Sequence, residues 1–287
     1  MTLYEPLRDA LRAEEAVALA TVVELSDEAL VRAVGVRLGA KLLVRPDGAP
    51  LGSLGNDDID RVVTRDARAA LETGLTSTRH YGTRGEARHR DIAVFIESFA
   101  PPPRMVIFGA VDFTAALARA AKLLGYRVTV CDARPVFATA ARFPMADEVV
   151  VDWPDRHLAK VGPELGPRDA VCVLTHDPKF DVPAIVAALG TRVGYLGAMG
   201  SRRTHAERVA RLREAGVGED GLARVMAPIG VDIGARTPEE TAVSIAAEII
   251  ALRTGRGFPS LRDVDGPIHG RAGEGDDGTD LDDGRPA

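Results

Sequence analysis

From residue 105 onward one pattern recurs: a short apolar run, a loop of small or polar residues, then a stretch with helical spacing. The runs occupy 105–108, 127–131, 148–151, 170–174 and 192–196. Met105-Val106-Ile107-Phe108 and Ala170-Val171-Cys172-Val173-Leu174 are apolar without alternation, as in strands covered on both faces. Parallel strands of that kind need helical crossovers. The fold class expected for this half is therefore α/β, a Rossmann-like parallel sheet with helices on both faces. Ligands of such sheets sit outside the carboxyl ends of the strands.

The other half reads differently. Strands are expected at 17–23, 40–44 and 92–96, with a turn at Pro46-Asp47-Gly48 and a loop over 52–58. A helix near 59–73 would turn Val62, Val63 and Ala69 inward. This is a smaller N-terminal α/β domain over residues 1–100. Pro101-Pro102-Pro103 is stiff, extended and unable to join a ladder, which makes it a linker. The Rossmann-like domain then spans 101–256. Its last helix opens with the capping box Thr237-Pro238-Glu239-Glu240, turns Val243, Ile245, Ile249 and Leu252 to the core, and stops at Gly255. Residues 257–287 are Gly- and Asp-rich with few apolar side chains and are expected to be a disordered acidic tail.

Composition narrows the function. A net charge of −6 disfavours a nucleic-acid partner. Both cysteines, Cys131 and Cys172, lie in apolar runs and read as inert buried thiols. No metal-ligand spacing occurs, no apolar run reaches the length of a membrane span, and the mixed N-terminus lacks a signal-peptide core. The expected location is cytoplasmic.

Two turns carry candidate chemistry. Gly109 follows the first strand and Asp132 ends the next, which is where a dinucleotide's pyrophosphate and ribose would be held. Val111 and Thr114 stand where further glycines belong, and Asp112 puts a negative charge beside the phosphate position. NAD(P) is therefore a weak candidate. At Gly200-Ser201-Arg202-Arg203 a glycine, a helix start and two guanidiniums outline an anion site. A strand ending in glycine before a helix with solvated arginines explains the same residues.

The segments LTHDPKFD, YLGAMGSRRTHAERVARLREAG and APIGVDIGARTPEETAVSIAAEIIA closely resemble the XdhC/CoxI family, over roughly residues 104–254. The match over 15–100 is looser. The resemblance implies a maturation factor for molybdenum hydroxylases of the xanthine dehydrogenase or carbon monoxide dehydrogenase type. Such a factor binds the molybdenum cofactor (molybdopterin) and passes it on, a binding and delivery protein rather than an enzyme. Gly200, Ser201, Arg202 and Arg203 would hold the phosphate, Thr175, His176, Asp177 and Lys179 would line the crevice, and Asp232 and Arg236 would close its rim. The implied partners are an apo molybdenum hydroxylase, a cysteine desulfurase and a second copy in a homodimer. Asp58 stands where the family carries a cysteine, and no second cysteine patch appears near Arg88–Arg90. An NAD(P)-dependent oxidoreductase and a ligand-free assembly partner are the competing functions.

Overall fold

A computed structural model describes residues 3–26, 35–86 and 90–264. The acidic tail from 265 onward lies outside the described residues, as does 87–89, where the second cysteine patch would fall.

The first part of the chain builds a five-stranded antiparallel sheet. Its elements are α1 (Tyr4–Arg12), β1 (Val17–Leu25), β2 (Lys41–Val44), β3 (Leu51–Ser53), α2 (Asp57–Thr73), β4 (Ser77–Tyr81) and β5 (Ile92–Phe99), with strand order β3-β2-β1-β5-β4. Alternation along β1 divides its side chains between two helices. Ala18, Ala20 and Val22 pack with Ile59, Val63, Ala67 and Ala70 of α2. Val17 and Leu19 pack with Ala10 and Leu7 of α1.

Helix α2 begins two residues earlier than its apolar spacing suggests. The Asn56 side chain accepts from Asp58 N and Ile59 N, so the chain turns helical at once. Asp57, Asp58 and Asp60 then suit the positive end of the helix dipole. The inward stripe is Ile59, Val63, Ala67, Ala70 and Leu71, at helical spacing, while Ala69 is exposed and Val62 half-buried. Strands β3 and β4 escape the apolar pattern because they are edge strands. Ser77-Thr78-Arg79-His80 is polar and half-buried, and its ladder to β5 comes from backbone groups.

The chain then passes Pro101-Pro102-Pro103 into a six-stranded parallel sheet. Its elements are β6 (Arg104–Phe108), α3 (Asp112–Leu123), β7 (Arg127–Cys131), β8 (Glu148–Val150), α4 (Pro154–Val161), β9 (Ala170–Val173), α5 (Pro178–Leu189), β10 (Tyr195–Ala198), α6 (Arg202–Glu214), α7 (Glu219–Ala223), β11 (Val225–Met226) and α8 (Pro238–Thr254). Strand order is β11-β10-β9-β6-β7-β8. Helices α3 and α8 cover one face through Ala118, Ala121, Ile245 and Ile249. Helices α4, α5 and α6 cover the other through Leu158, Ile185 and Leu212.

Three local expectations are corrected. The sequence places a helix over 182–189; α5 starts at Pro178 instead, because Asp177 caps it and Pro178 needs no donor there, and Pro183 then lies inside the helix. In α8, Val243 and Leu252 are 58% and 47% exposed. The core side of α8 is taken by Ala242, Ile245 and Ile249 against the alanines of α3. Strand β10 begins at Tyr195 rather than 192 and runs to Ala198.

Strand order decides where a ligand can sit. From β6 the chain builds outward to β7 and β8, then returns to the other side of β6 for β9, β10 and β11. The loops leaving β6 and β9 therefore diverge to opposite faces, and the switch point between them, at the carboxyl edge, is the crevice position at which sheets of this topology hold ligands.

Candidate functional site

The floor of the crevice is Gly109 against Thr175. Gly109 has φ +108°, and a Cβ there would lie 2.8 Å from Thr175 Cγ2 and 3.0 Å from Thr175 N. Helix α3 opens just beyond, with Val111 at the cap position contributing no side-chain hydrogen bond. Arg142 arches over this turn. Its Nη1 donates to the carbonyls of Ala110 at 3.2 Å and Phe137 at 3.3 Å, and its Nη2 lies 3.8 Å from the Asp112 carboxylate.

Asp132, expected to face a ribose, is turned inward and 4% exposed. It accepts from Ala110 N at 2.8 Å, from Arg134 N at 2.9 Å, and from Arg134 Nε and Nη2 at 2.9 and 2.8 Å. Burial opposes its charge, but these bonds to Arg134 and Ala110 outweigh that and hold the carboxyl below its ordinary range. A ribose would have to displace a bidentate guanidinium to reach it. Arg134 in turn lies over the Phe137 ring, 4.5 Å from its centroid.

The second wall comes from the exit of β9. Asp177 caps α5 through Lys179 N and pairs with Lys179 Nζ at 3.0 Å. It also lies close enough to Arg134 for the two to interact electrostatically. Thr175, 5% exposed, donates its hydroxyl to Asp181, and His176 lies within electrostatic reach of the same carboxylate. Asp181 also accepts from Arg208 Nη2 at 2.8 Å, and Arg208 Nη2 donates to Met199 O at 2.6 Å. A buried ion pair thus ties the exits of β9 and β10 together from behind. Burial pushes the Asp181 carboxyl up, although Thr175 and Arg208 both donate to it.

The expected residues divide into three groups. Gly109, Asp132, Thr175, His176, Asp177 and Lys179 come together around the β6/β9 reversal. Gly200 joins them through Arg208, whose Nη2 would lie 3.5 Å from a Cβ at Gly200. Ser201 is occupied as the cap of α6, accepting from Thr204 N at 3.1 Å, while Arg202 is exposed and Arg203, 90% exposed, pairs along its own helix with Glu207 at 3.2 Å. Asp232 and Arg236 are exposed on the loop before α8, and among the described residues no hydrogen bond or ion pair joins them to the crevice. That loop is held instead to α8, by Gly230 N on Glu248 at 3.0 Å and Ser244 Oγ on Val231 O at 2.6 Å.

Asp181, Arg208 and Arg142 were not legible as site residues. Asp181 is one acid in the first turn of a helix, and Arg208 is one of several basic residues on α6. Nothing in their spacing distinguishes them from solvated charges. Cys131 and Cys172 are both buried, and burial pushes the Cys131 thiol up to about 12 and the Cys172 thiol higher still. Among the described residues no group of His, Cys, Asp or Glu could hold a metal ion.

The Asp132 cluster has a pH consequence. Its folded-state carboxyl lies below the unfolded value, so the stability it contributes is present above about pH 4 and lost as pH falls through the folded value. Asp181 is displaced upward and opposes this in the same region. The melting temperature should fall as pH drops from about 5 toward about 3, more shallowly in Asp132→Asn. An equal slope in the variant would remove Asp132 from the account.

Known proteins match the chain in both halves. The XdhC Rossmann domain model covers residues 105–249, and the XdhC and CoxI family model covers residues 10–82. A Bacillus subtilis (strain 168) protein, named as a probable xanthine dehydrogenase subunit, is 33% identical over 195 residues, 62% of this chain and 56% of that protein. The Escherichia coli (strain K12) "Molybdenum cofactor insertion chaperone PaoD" is 29% identical over 159 residues, 55% of this chain and 43% of that protein. The chain thus spans about half the length of these curated relatives. A solved structure titled as a xanthine dehydrogenase from Bacillus halodurans covers 90% of this chain and 97% of its own, at 21% identity and a TM-score of 0.49. With the Rossmann-domain match running the length of the parallel sheet, from β6 into α8, and a second match in the antiparallel part, the chain belongs to the XdhC and CoxI family.

Proposed function

We propose that this chain binds the molybdenum cofactor as cargo, by its phosphate end, at the β6/β9 crevice and delivers it to an apo molybdenum hydroxylase. Family membership and the name of the Escherichia coli relative support the cargo. The observation that carries the site is the start of α3. It lacks a side-chain cap, opens beside Gly109 where the backbone presses on Thr175, and has Arg142 arched over it. Free N–H groups at a helix start and a guanidinium together suit a phosphate.

The lining is close to charge-balanced, since Arg134 lies beside Asp132, Lys179 beside Asp177 and Arg142 near Asp112. Anion preference therefore rests on the α3 N–H groups and on Arg142 rather than on a surplus of cations. Gly200–Arg203 contributes less than its residue types suggest, because Ser201 and Arg203 are engaged within α6. The same geometry argues against NAD(P), since Asp132 is committed to Arg134. Neither cysteine is exposed to share the cofactor's sulfur chemistry, so retention through the phosphate is the mode the residues fit. Among the described residues no helix is long and apolar enough to cross a membrane.

Calorimetric titration with molybdopterin, beside NADH, tests this reading. Molybdopterin should bind and NADH should not saturate the protein at about 0.1 mM. Arg142→Ala should weaken molybdopterin about tenfold, the equivalent of one charge-assisted hydrogen bond. Co-purification with an apo hydroxylase, a cysteine desulfurase or a differently tagged copy of the chain reads the partners in the same preparation. Tighter binding of NADH than of molybdopterin would sink the proposal.

A further inference from the structure

The side chain of Arg208 is 3% exposed, and its guanidinium is used on one side only. Nη2 donates twice, to Asp181 Oδ2 at 2.8 Å and to Met199 O at 2.6 Å, whereas Nη1 is buried without a partner. A buried charged donor with no acceptor bears its full desolvation penalty. A pair that served packing alone would be matched or bettered by apolar residues of similar volume. The position of the guanidinium is informative. Arg208 lies behind Gly200, which has φ +151°; a Cβ there would meet the Thr204 side chain at 3.1 Å and Arg208 Nη2 at 3.5 Å, so the absence of a side chain at 200 leaves the turn close to the guanidinium. Asp181 binds Arg208 through one oxygen and Thr175 through the other, so the guanidinium is fixed relative to the crevice wall opposite Gly109.

We infer that Arg208 Nη1 is a binding donor for a phosphate oxygen of the ligand, reached through the Gly200 turn, and that Asp181 is its positioning residue. This rests on the proposed function for the identity of the cargo, and on the buried ion pair for the site itself. Phosphate is the chemistry that fits. The guanidinium offers the charged, unfilled Nη1 donor, the Gly200 turn offers backbone without a side chain, and a tetrahedral oxyanion has acceptors to spare for both. The cationic residues that first attract attention in this stretch, Arg202 and Arg203, lie at the surface; the one behind the sheet edge is buried a further turn on.

The test uses the full chain with two probes, molybdopterin and inorganic pyrophosphate, and two variants. Arg208→Lys keeps the charge but removes the fork, and should weaken both probes about tenfold. The double variant Arg208→Met with Asp181→Leu removes the pair without leaving a lone buried charge. It should keep a melting temperature within a few degrees while losing about a hundredfold in affinity for both probes. In the unmutated protein, the Arg208 side-chain NMR signal should shift on adding pyrophosphate. Molybdopterin binding unchanged within about twofold in both variants, with no shift of that signal, would overturn the inference and leave the proposed function standing. Pyrophosphate binding that depends on Arg208, with no molybdopterin binding, would keep the inference and overturn the cargo. Binding of neither probe would overturn both.

Discussion

Replacing Asp181 with alanine should cost about 3–5 kcal/mol of unfolding free energy, the range for breaking one side of a buried ion pair. The side-chain exposures of Arg208 and Asp181 are 3% and 4%, so neither partner can turn to water when the other is removed. Alanine would leave Arg208 with only the Met199 carbonyl and would strip the Thr175 hydroxyl of its acceptor. Asp181→Asn keeps an oxygen for either donor and should cost markedly less. Denaturant unfolding of the two variants beside the unmutated chain measures the difference. A loss below about 1 kcal/mol in the alanine variant would mean that water has replaced the carboxylate and that the pair does not hold the β9 and β10 exits together.

The second large effect is expected at the crevice floor. Gly109→Ala should destabilise the protein by about 2–4 kcal/mol, combining a positive-φ residue with a collision. The obstructing atom at 3.0 Å is the backbone nitrogen of Thr175, beside Leu174, whose N–H is bonded to Phe108 O at 2.8 Å. Relief therefore requires β6 and β9 to separate, and the crevice would lose its shape along with its stability. Gly125→Ala is the matched control. Gly125 has φ +80° but nothing within 4 Å of a Cβ, so only the conformational cost of about 1 kcal/mol should appear. Thermal melting and molybdopterin titration of both variants separate the two contributions. If Gly109→Ala is no worse than Gly125→Ala, the close approach to Thr175 is softer than the geometry indicates.

Much of the architecture was legible because its causes are local. The unalternating run Met105–Phe108 signals a strand covered on both faces wherever it lies in the sheet. The capping box at Thr237 and Glu240 needs only four consecutive residues, and both of its reciprocal bonds are present at 3.1 Å. The errors also have local causes. Polar edge strand β4 carries no apolar alternation because its partner is on one side only. The inward choice of Ala70 over Ala69 turns on the exact start of α2, which Asn56 sets.

What the sequence by itself determined is the kind and order of the elements, the helix starts marked by their caps, the parallel sheet with helices on both faces, and the family to which its motifs belong. Periodicity and capping act over a few residues, so they survive without knowledge of neighbours. Only the tertiary structure decided which charges are available for chemistry. Asp132 and Arg134 are near neighbours in sequence, yet the inward turn of Asp132 depends on Ala110 N, supplied by the loop after β6. Arg208 and Asp181 lie on different helices and meet because β9 and β10 are neighbours in the sheet. An ion pair between distant residues is set by strand order and burial, and neither is written in the spacing of the residues that form it.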